Sequence, residues 1–406
     1  MGLAGRKSES SHVTTLAVDN YRSLRHLVVP LGPLSVVTGA NGSGKSSLYR
    51  ALRLLSDAAR NGAVAALARE SGLTSTLWAG PEKVGSQPAR PTARVEPVSL
   101  RLGFSGGQDD FGYAVDLGQP SGGAGASAGE RTMFGSDPET KRESVWSGPV
   151  LCPAAMLAER HNGAVRIRDT DGAWSHQNHP IRPYDSMLSE FADPQDAPEA
   201  LRLRDRIRSW RFYDHFRTDA AAPARGSHVG TRTPVLSHDG ADLAAALRTI
   251  REIGDRTALD TAIGLAFPGS QLTVADHAGR FDLQLRQPGL LRPLRAAELS
   301  DGTLRYLLLV AALLTPRPPE LLVLNEPETI LHPELLPPLA QLITMAAAHS
   351  QVIVVSHSQP LTHAVQRLAV DDAPEVTTIQ LVKEHGRTRV VGQGPLDEPA
   401  RHWPKR

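Results

Sequence analysis

Between Leu34 and Leu55 the chain reads LSVVTGANGSGKSSLYRALRLL, and no other stretch narrows its possible folds as much. Leu34 to Val37 is a short, apolar-leaning run of the kind buried in a parallel sheet. It passes into Gly39-Ala40-Asn41-Gly42-Ser43-Gly44-Lys45-Ser46, which meets every fixed position of the phosphate-loop pattern G-x-x-x-x-G-K-[ST]. Leu48, Leu52 and Leu55 then recur at helical spacing, so the loop lies between a strand and a helix. Glycines let successive backbone N–H groups converge on an anion, and the helix N-terminus adds its partial positive charge. In such a loop Lys45 reaches the β- and γ-phosphates of a nucleoside triphosphate, and the Ser46 hydroxyl ligates Mg²⁺. A bound nucleoside triphosphate is the expectation.

With 406 residues the chain can bury a large core. Lysine and arginine total 44 against 43 aspartate and glutamate, a net charge of +1, so nucleic acid could be met only through a local patch. The single cysteine, Cys152, excludes an intramolecular disulfide and a zinc ribbon. No apolar signal-peptide core is visible, and the longest apolar run, Tyr306 to Leu314, falls far short of a membrane span. These features predict a soluble, cytoplasmic protein with no membrane partner.

Val13 to Val18 and Leu24 to Leu31 read as strands ahead of the loop. Val98 to Phe104 and Gly112 to Leu117 read as a hairpin turned by Ser105 to Asp110. That turn spells Ser105-Gly106-Gly107-Gln108, the core of a transporter signature, but it opens no helix and so cannot aim one at phosphate. From Gly118 to Gly148 glycine, serine and charge dominate, which predicts a flexible insertion. The region Glu159 to Pro183 is polar, and its His176 and His179 have no second pair at ligand spacing. Pro198 to Trp210 reads as a helix, with Leu203, Ile207 and Trp210 on one stripe and Arg204, Arg208 and Arg211 on the next. Helices over Asp242 to Ile253 and Asp255 to Ala266 follow, then strands near Leu272 to Ala275 and Phe281 to Arg286.

The last third supplies further ligand-directed elements. Ser300 is a good N-cap for the apolar helix Leu304 to Leu314, and Gly302 leaves room for phosphate at the backbone. The apolar strand Leu321 to Leu324 delivers Asn325-Glu326-Pro327-Glu328 at its carboxyl end, where α/β sheets bind ligands. A helix over Pro333 to Ala348 leads to the strand Val352 to Val355, which ends in Ser356-His357-Ser358. A hairpin over Thr377 to Lys383 and Arg387 to Gly392 closes the pattern.

Taken in order, GANGSGKSS, LSDGTLRYLLL, LLVLNEPETILHP and VIVVSHS resemble the RecF-type and SMC-like ATPases, and more closely the stand-alone bacterial AAA-family ATPases whose Walker B reads LNEPET-x-LHP. The resemblance spans nearly the whole chain. It implies an α/β fold: a P-loop NTPase of the ABC-ATPase head type with a mixed β-sheet core, an antiparallel β subdomain, and a helical lobe inserted between Walker A and the signature. Three parts are expected: residues 1–117 with Walker A and the β subdomain, 118–255 as flexible insertion and helical lobe, and 256–406 with signature, Walker B and switch histidine.

By this resemblance ATP is held by Gly39, Ala40, Asn41, Gly42, Ser43, Gly44, Lys45, Ser46 and Ser47. Ser300 and Gly302 match the signature, with Asp301 and Thr303 in place of the transporter form's Gly and Gln. Glu326 matches the glutamate that positions or deprotonates the attacking water, His357 the switch histidine, and Thr329 to His332 the D-loop. Mg²⁺ is assigned to Ser46 and, through water, to Asn325. Most relatives have Asp at this last position. Asn still accepts a hydrogen bond from a metal-bound water but brings no charge, so slow hydrolysis is expected. On that reading Asn325→Asp should tighten Mg²⁺ dependence without slowing turnover. The Q-loop glutamine has no clear match; Gln87 is nearest and lacks the strand context.

The resemblance implies a homodimer switched by ATP, with relatives in DNA repair and genome maintenance. Arg204, Arg208 and Arg211 could meet DNA phosphates or form a solvated helix face. An alternative is the ATPase subunit of an anti-phage or toxin-like system that controls a separate effector. A transporter ATPase fits less well, because no LSGGQ stands at the helix cap.

Overall fold

The computed structural model describes residues 12–80, 98–120, 134–368 (except 170, 178, 192, 193 and 196), 374–394, 397–399 and 402–403. Gln87 lies outside the described residues. The chain forms two compact units. The first comprises Met1–Gly32, Gly39–Trp210 and Ile379–Arg406, and the second Pro33–Thr38 with Arg211–Thr378.

An eight-stranded antiparallel sheet organises the first unit. Its spatial order begins Leu24–Pro30, Thr15–Tyr21, Leu100–Ser105, Phe111–Gly118, and continues Glu139–Ser147, Met156–His161, Ala164–Arg168, Trp174–His176. The helix Lys45–Asn61 buries Leu48, Leu52 and Leu55 as their spacing predicts, together with Tyr49, Ala51 and Ala58. The helix Pro198–Ser209 buries Leu203 and Ile207, and Trp210 just beyond it packs on Phe104 with ring centroids 5.1 Å apart. Arg60 Nη2 donates to the carbonyls of Ile207 and Arg208 at 2.7 and 2.6 Å, adding a charged donor at the helix C-terminus.

Four parallel strands form the sheet of the second unit, in the order Arg211–Tyr213, Leu321–Asn325, Gln351–Val355, Leu34–Gly39. Gln351–Val355 is buried throughout, and Leu321–Asn325 is buried but for its last residue, as expected of strands covered on both faces. Because the strands are parallel, their carboxyl ends share one edge, where Asp214, Asn325 and Ser356 stand at or just beyond the strand ends. The chain leaving Thr38 enters the glycine-rich loop directly. Helices Asp301–Leu313 and Leu336–Ala347 bury Leu304, Leu308, Leu339 and Ile343 in the apolar core of this unit. A smaller antiparallel sheet joins Gln271–His277, Arg280–Arg286, His228–Val229 and Leu294–Arg295.

Two expectations change. Residues 118–148 are not all flexible insertion: 121–133 lie outside the described residues, but Glu139–Ser147 is an inner strand of the antiparallel sheet. Likewise Glu159 to Pro183 carries three strand segments that continue the same sheet. Buried charge hides these strands in the sequence. Glu143, 1 % exposed, accepts from Tyr113 Oη and Ser186 Oγ at 2.6 and 2.7 Å, and from Arg160 Nη1 and the Met187 N–H at 3.0 and 2.7 Å. A carboxylate with four donors is tolerated in a core, so this strand does not follow the usual apolar alternation. Nor do the compact units follow the divisions at 117 and 255. A parallel sheet needs crossover connections and draws neighbouring strands from distant parts of the chain. The helix Gln359–Leu368 is an addition to the elements expected.

Candidate functional site

The glycine-rich loop leads into the helix Lys45–Asn61 through Gly44, at φ 110° and ψ 5°. That conformation disfavours any residue with a Cβ, and here a Cβ would also stand 2.1 Å from Thr388 Oγ1. Thr388 belongs to the hairpin Val376–Glu384 and Arg387–Val390; its Oγ1 donates to the Ser43 carbonyl at 2.8 Å. At Gly39, φ 148°, a Cβ would meet the Leu381 carbonyl oxygen at 2.4 Å. Lys45 is 5 % exposed, and its Nζ donates to the carbonyls of Gly39 and Ala40 at 2.6 and 3.1 Å. The ammonium is thereby held inside the curl of the loop. Ala40, Asn41, Gly42 and Ser46 are exposed, Ser43 is buried, and Gly44 and Ser47 are half-buried. The helix starts with no side-chain cap and no acidic residue in its first turn, so its N-terminal dipole faces no competing anion from its own first turn. Gly44→Ala is expected to destabilise the protein by about 1–3 kcal/mol through strain and the clash with Thr388. A thermal melt checks this, and a parental melting temperature would mean that Thr388 moves aside at no cost.

In the second unit, Asn325 and Glu326 follow one another at the end of their strand. Glu326 has φ 47°, the left-handed region that a non-glycine residue occupies only when its surroundings enforce it. Both sides of its backbone are held: the N–H donates to the Val355 carbonyl at 2.8 Å, and the carbonyl accepts from Arg305 Nη2 at 2.9 Å. The Glu326 side chain stays partly exposed, 3.8 Å from His357 Nδ1. Glu328 is buried and organises the neighbouring strand end. Its Oε1 accepts from Ser356 Oγ at 2.6 Å and from the His357 and Ser358 N–H groups at 3.0 and 3.2 Å, and lies 3.3 Å from His357 Nδ1. Glu326 and His357 meet at the ends of paired strands, and His357 is held there by a second carboxylate to which the motifs assign no role. Asn325 is also unexpectedly partnered: its Nδ2 donates to Asp214 Oδ1 at 2.7 Å, leaving its own Oδ1 buried without a partner.

Ser300 caps the helix Asp301–Leu313 as expected, its Oγ accepting from the Thr303 N–H at 3.2 Å. Asp301 is held at 2.7 Å by Arg225, which also donates to the Leu299 carbonyl at 2.7 Å. A Cβ on Gly302 would stand 3.1 Å from the Ile330 carbonyl, so the missing side chain lets the backbone at Ile330 lie against this helix. Three residues later comes Arg305, 1 % exposed, with Nε and Nη1 lacking partners. Burial pulls its pKa below the usual guanidinium value, against the opposing charges of Glu328, Asp214 and Glu326. Neither Arg225 nor Arg305 stands out in the sequence, because the Asp301 carboxylate and the Glu326 carbonyl that they hold lie 76 and 21 residues away.

A glycine-rich loop with an inward lysine, and a parallel-sheet edge bearing Asn-Glu and Ser-His, define the P-loop class of ATPases. Within that class, residues 34–141 and 163–362 match the family described as AAA domain, putative AbiEii toxin, Type IV TA system. The match covers more than half of the chain, and the chain belongs to this family. No curated protein matches it. Among solved structures, it is similar to an SMC head bound to the C-winged helix domain of ScpA, at 15 % identity over 94 % of this chain and 97 % of that one, TM-score 0.49. It is also similar to the SMC head domain from Thermotoga maritima, at 14 % identity over 93 % and 98 %, TM-score 0.41. A third is the Pyrococcus furiosus Smc head bound to the C-terminal domain of ScpA, at 13 % identity over 94 % and 96 %, TM-score 0.48. Among the described residues no helix is long and apolar enough to cross a membrane.

Proposed function

We propose that this P-loop ATPase binds ATP with Mg²⁺, hydrolyses it slowly, and uses ATP to close a homodimer of the RecF and SMC-like kind. The loop from Gly39 to Ser47 cradles the phosphates, with Lys45 as their fixed counter-charge. Ser46 would hold Mg²⁺ through its hydroxyl and Asn325 through a metal-bound water, and the ion would neutralise phosphate charge when bound. Each residue by itself has suitable chemistry: Ser46 offers an exposed hydroxyl and Asn325 an unpartnered acceptor oxygen. Glu326 orients and deprotonates the attacking water, and His357 contacts the γ-phosphate, with Glu328 holding His357 in register.

The observation that carries the dimer is the contrast along the helix Asp301–Leu313. Leu304 to Leu313 are all buried, yet Ser300 and Asp301 at its head are exposed. A capped helix N-terminus turned to solvent on a buried helix suits phosphate carried by another molecule. If a second copy carries it, ATP binding energy appears as dimer affinity. Glu326→Gln protein is expected to be monomeric alone and dimeric with ATP and Mg²⁺, read by light scattering after size exclusion. Adding Ser300→Arg should keep it monomeric while leaving ATP binding intact. Equal dimerisation of both forms would remove the signature assignment and the dimer with it.

The family description, which names a putative toxin of a Type IV TA system, lends partial support to the second reading, an anti-phage or toxin-like system whose ATPase would control a separate effector. Support for DNA is thinner: Arg204 already lies 3.3 Å from Asp205, and Arg206 of the same helix is buried against Asp110.

A further inference from the structure

Tyr213 pairs with Leu324 in the parallel register, so the next residue of each strand, Asp214 and Asn325, come side by side. Their side chains meet at 2.7 Å, Nδ2 of the amide donating to the carboxylate. The direction follows from chemistry: a carboxylate offers only acceptors, so the neighbouring amide must turn its NH₂ toward it. The same turn sends Asn325 Oδ1 the other way, where it is buried and accepts from no protein group. Asp214 itself is exposed and keeps its second oxygen out of this bond.

We propose that Asp214 is the carboxylate that Asn325 lacks. It orients the amide so that Oδ1 accepts from a metal-bound water, and it lends the pair one negative charge close to Mg²⁺. Asp214 is then a positioning residue acting through Asn325, as outer partners commonly act on the groups that meet a metal. This rests on the ATP and Mg²⁺ reading above. It also reverses the expectation for Asn325→Asp: a carboxylate there would face another at hydrogen-bonding distance, and the two would repel.

Isothermal titration of ATP into the full chain, at several fixed Mg²⁺ concentrations and in EDTA, tests the assignment. Asp214→Ala is expected to raise the Mg²⁺ needed for half-maximal enhancement of ATP affinity by on the order of 10- to 100-fold. Affinity in EDTA should stay at the parental value. Asn325→Asp alone should also weaken the Mg²⁺ response. The exchange Asp214→Asn with Asn325→Asp keeps one amide, one carboxylate and their hydrogen bond, and should recover most of the parental response. A parental Mg²⁺ response in Asp214→Ala, or an exchange variant no better than the single variants, overturns the proposal. In those cases parental ATP binding that is lost in Lys45→Ala leaves the nucleotide reading intact. A parent chain that binds no ATP overturns both.

Discussion

Lys45→Ala is expected to lower ATP affinity by about 100-fold or more. A hydrogen bond to a charged group contributes roughly 1.5–3 kcal/mol net, and a β/γ-phosphate pair offers the ammonium at least two. At 1.4 kcal/mol per tenfold, that range amounts to about two orders of magnitude or more. The effect should be larger than for a surface lysine, because Lys45 is 5 % exposed and fixed on the Gly39 and Ala40 carbonyls. Alanine removes the charge and also the ammonium's bonds to both carbonyls, leaving Ala40 only the Ser43 N–H, so the loop loses shape as well as potential. Isothermal titration with ATP and Mg²⁺ measures the loss, and a circular dichroism melt confirms that the variant folds. Undiminished affinity in a folded variant would remove the phosphate-loop assignment.

Glu326→Gln should leave ATP affinity within about threefold of the parent and reduce turnover by roughly 10²–10⁴, the usual contribution of a positioned general base. Glutamine keeps the shape of the side chain and loses the proton acceptor. The backbone conditions at 326 are unchanged, because Val355 and Arg305 hold the main chain rather than the carboxylate. A steady-state phosphate-release assay reads the result. Parental turnover would transfer the water to another group, and Glu328, 3.3 Å from His357, would be the next residue to replace.

The parts of the candidate site legible in the sequence are those written as one continuous run: the loop through Ser47, the strand ending in Asn325-Glu326, and Ser356-His357. In such runs a glycine pattern or an apolar strand fixes where the polar residue goes, so local chemistry suffices. Asp214, Arg225 and Arg305 are not legible in this way, and Glu328, though written in the same run, shows no sign there that it holds Ser356 and His357. Asp214 reaches Asn325 across 111 residues because two short strands pair in parallel, and no local signal in Arg211–Tyr213 announces that pairing. Arg305 sits in a helix otherwise buried by leucines and alanines, where its charge is explained only by the Glu326 carbonyl and the carboxylates around it. The antiparallel sheet was half visible. Phe111–Gly118 reads as a strand from its own residues, whereas its neighbour Glu139–Ser147 depends on Arg160 and Ser186 to make Glu143 tolerable inside.

Thr388 gives the phosphate loop a history as well as a shape. Its hydroxyl binds Ser43 across 345 residues of sequence, and its own N–H donates to the Ser23 carbonyl. On a ribosome adding about 5–20 residues per second, roughly 20–70 seconds separate the emergence of the loop from that of the residue that braces it. During that interval the nascent chain has its glycines and Lys45 but not the threonine that closes around Gly44. Nucleotide therefore meets a braced loop only once Thr388 has been made and has reached Ser43.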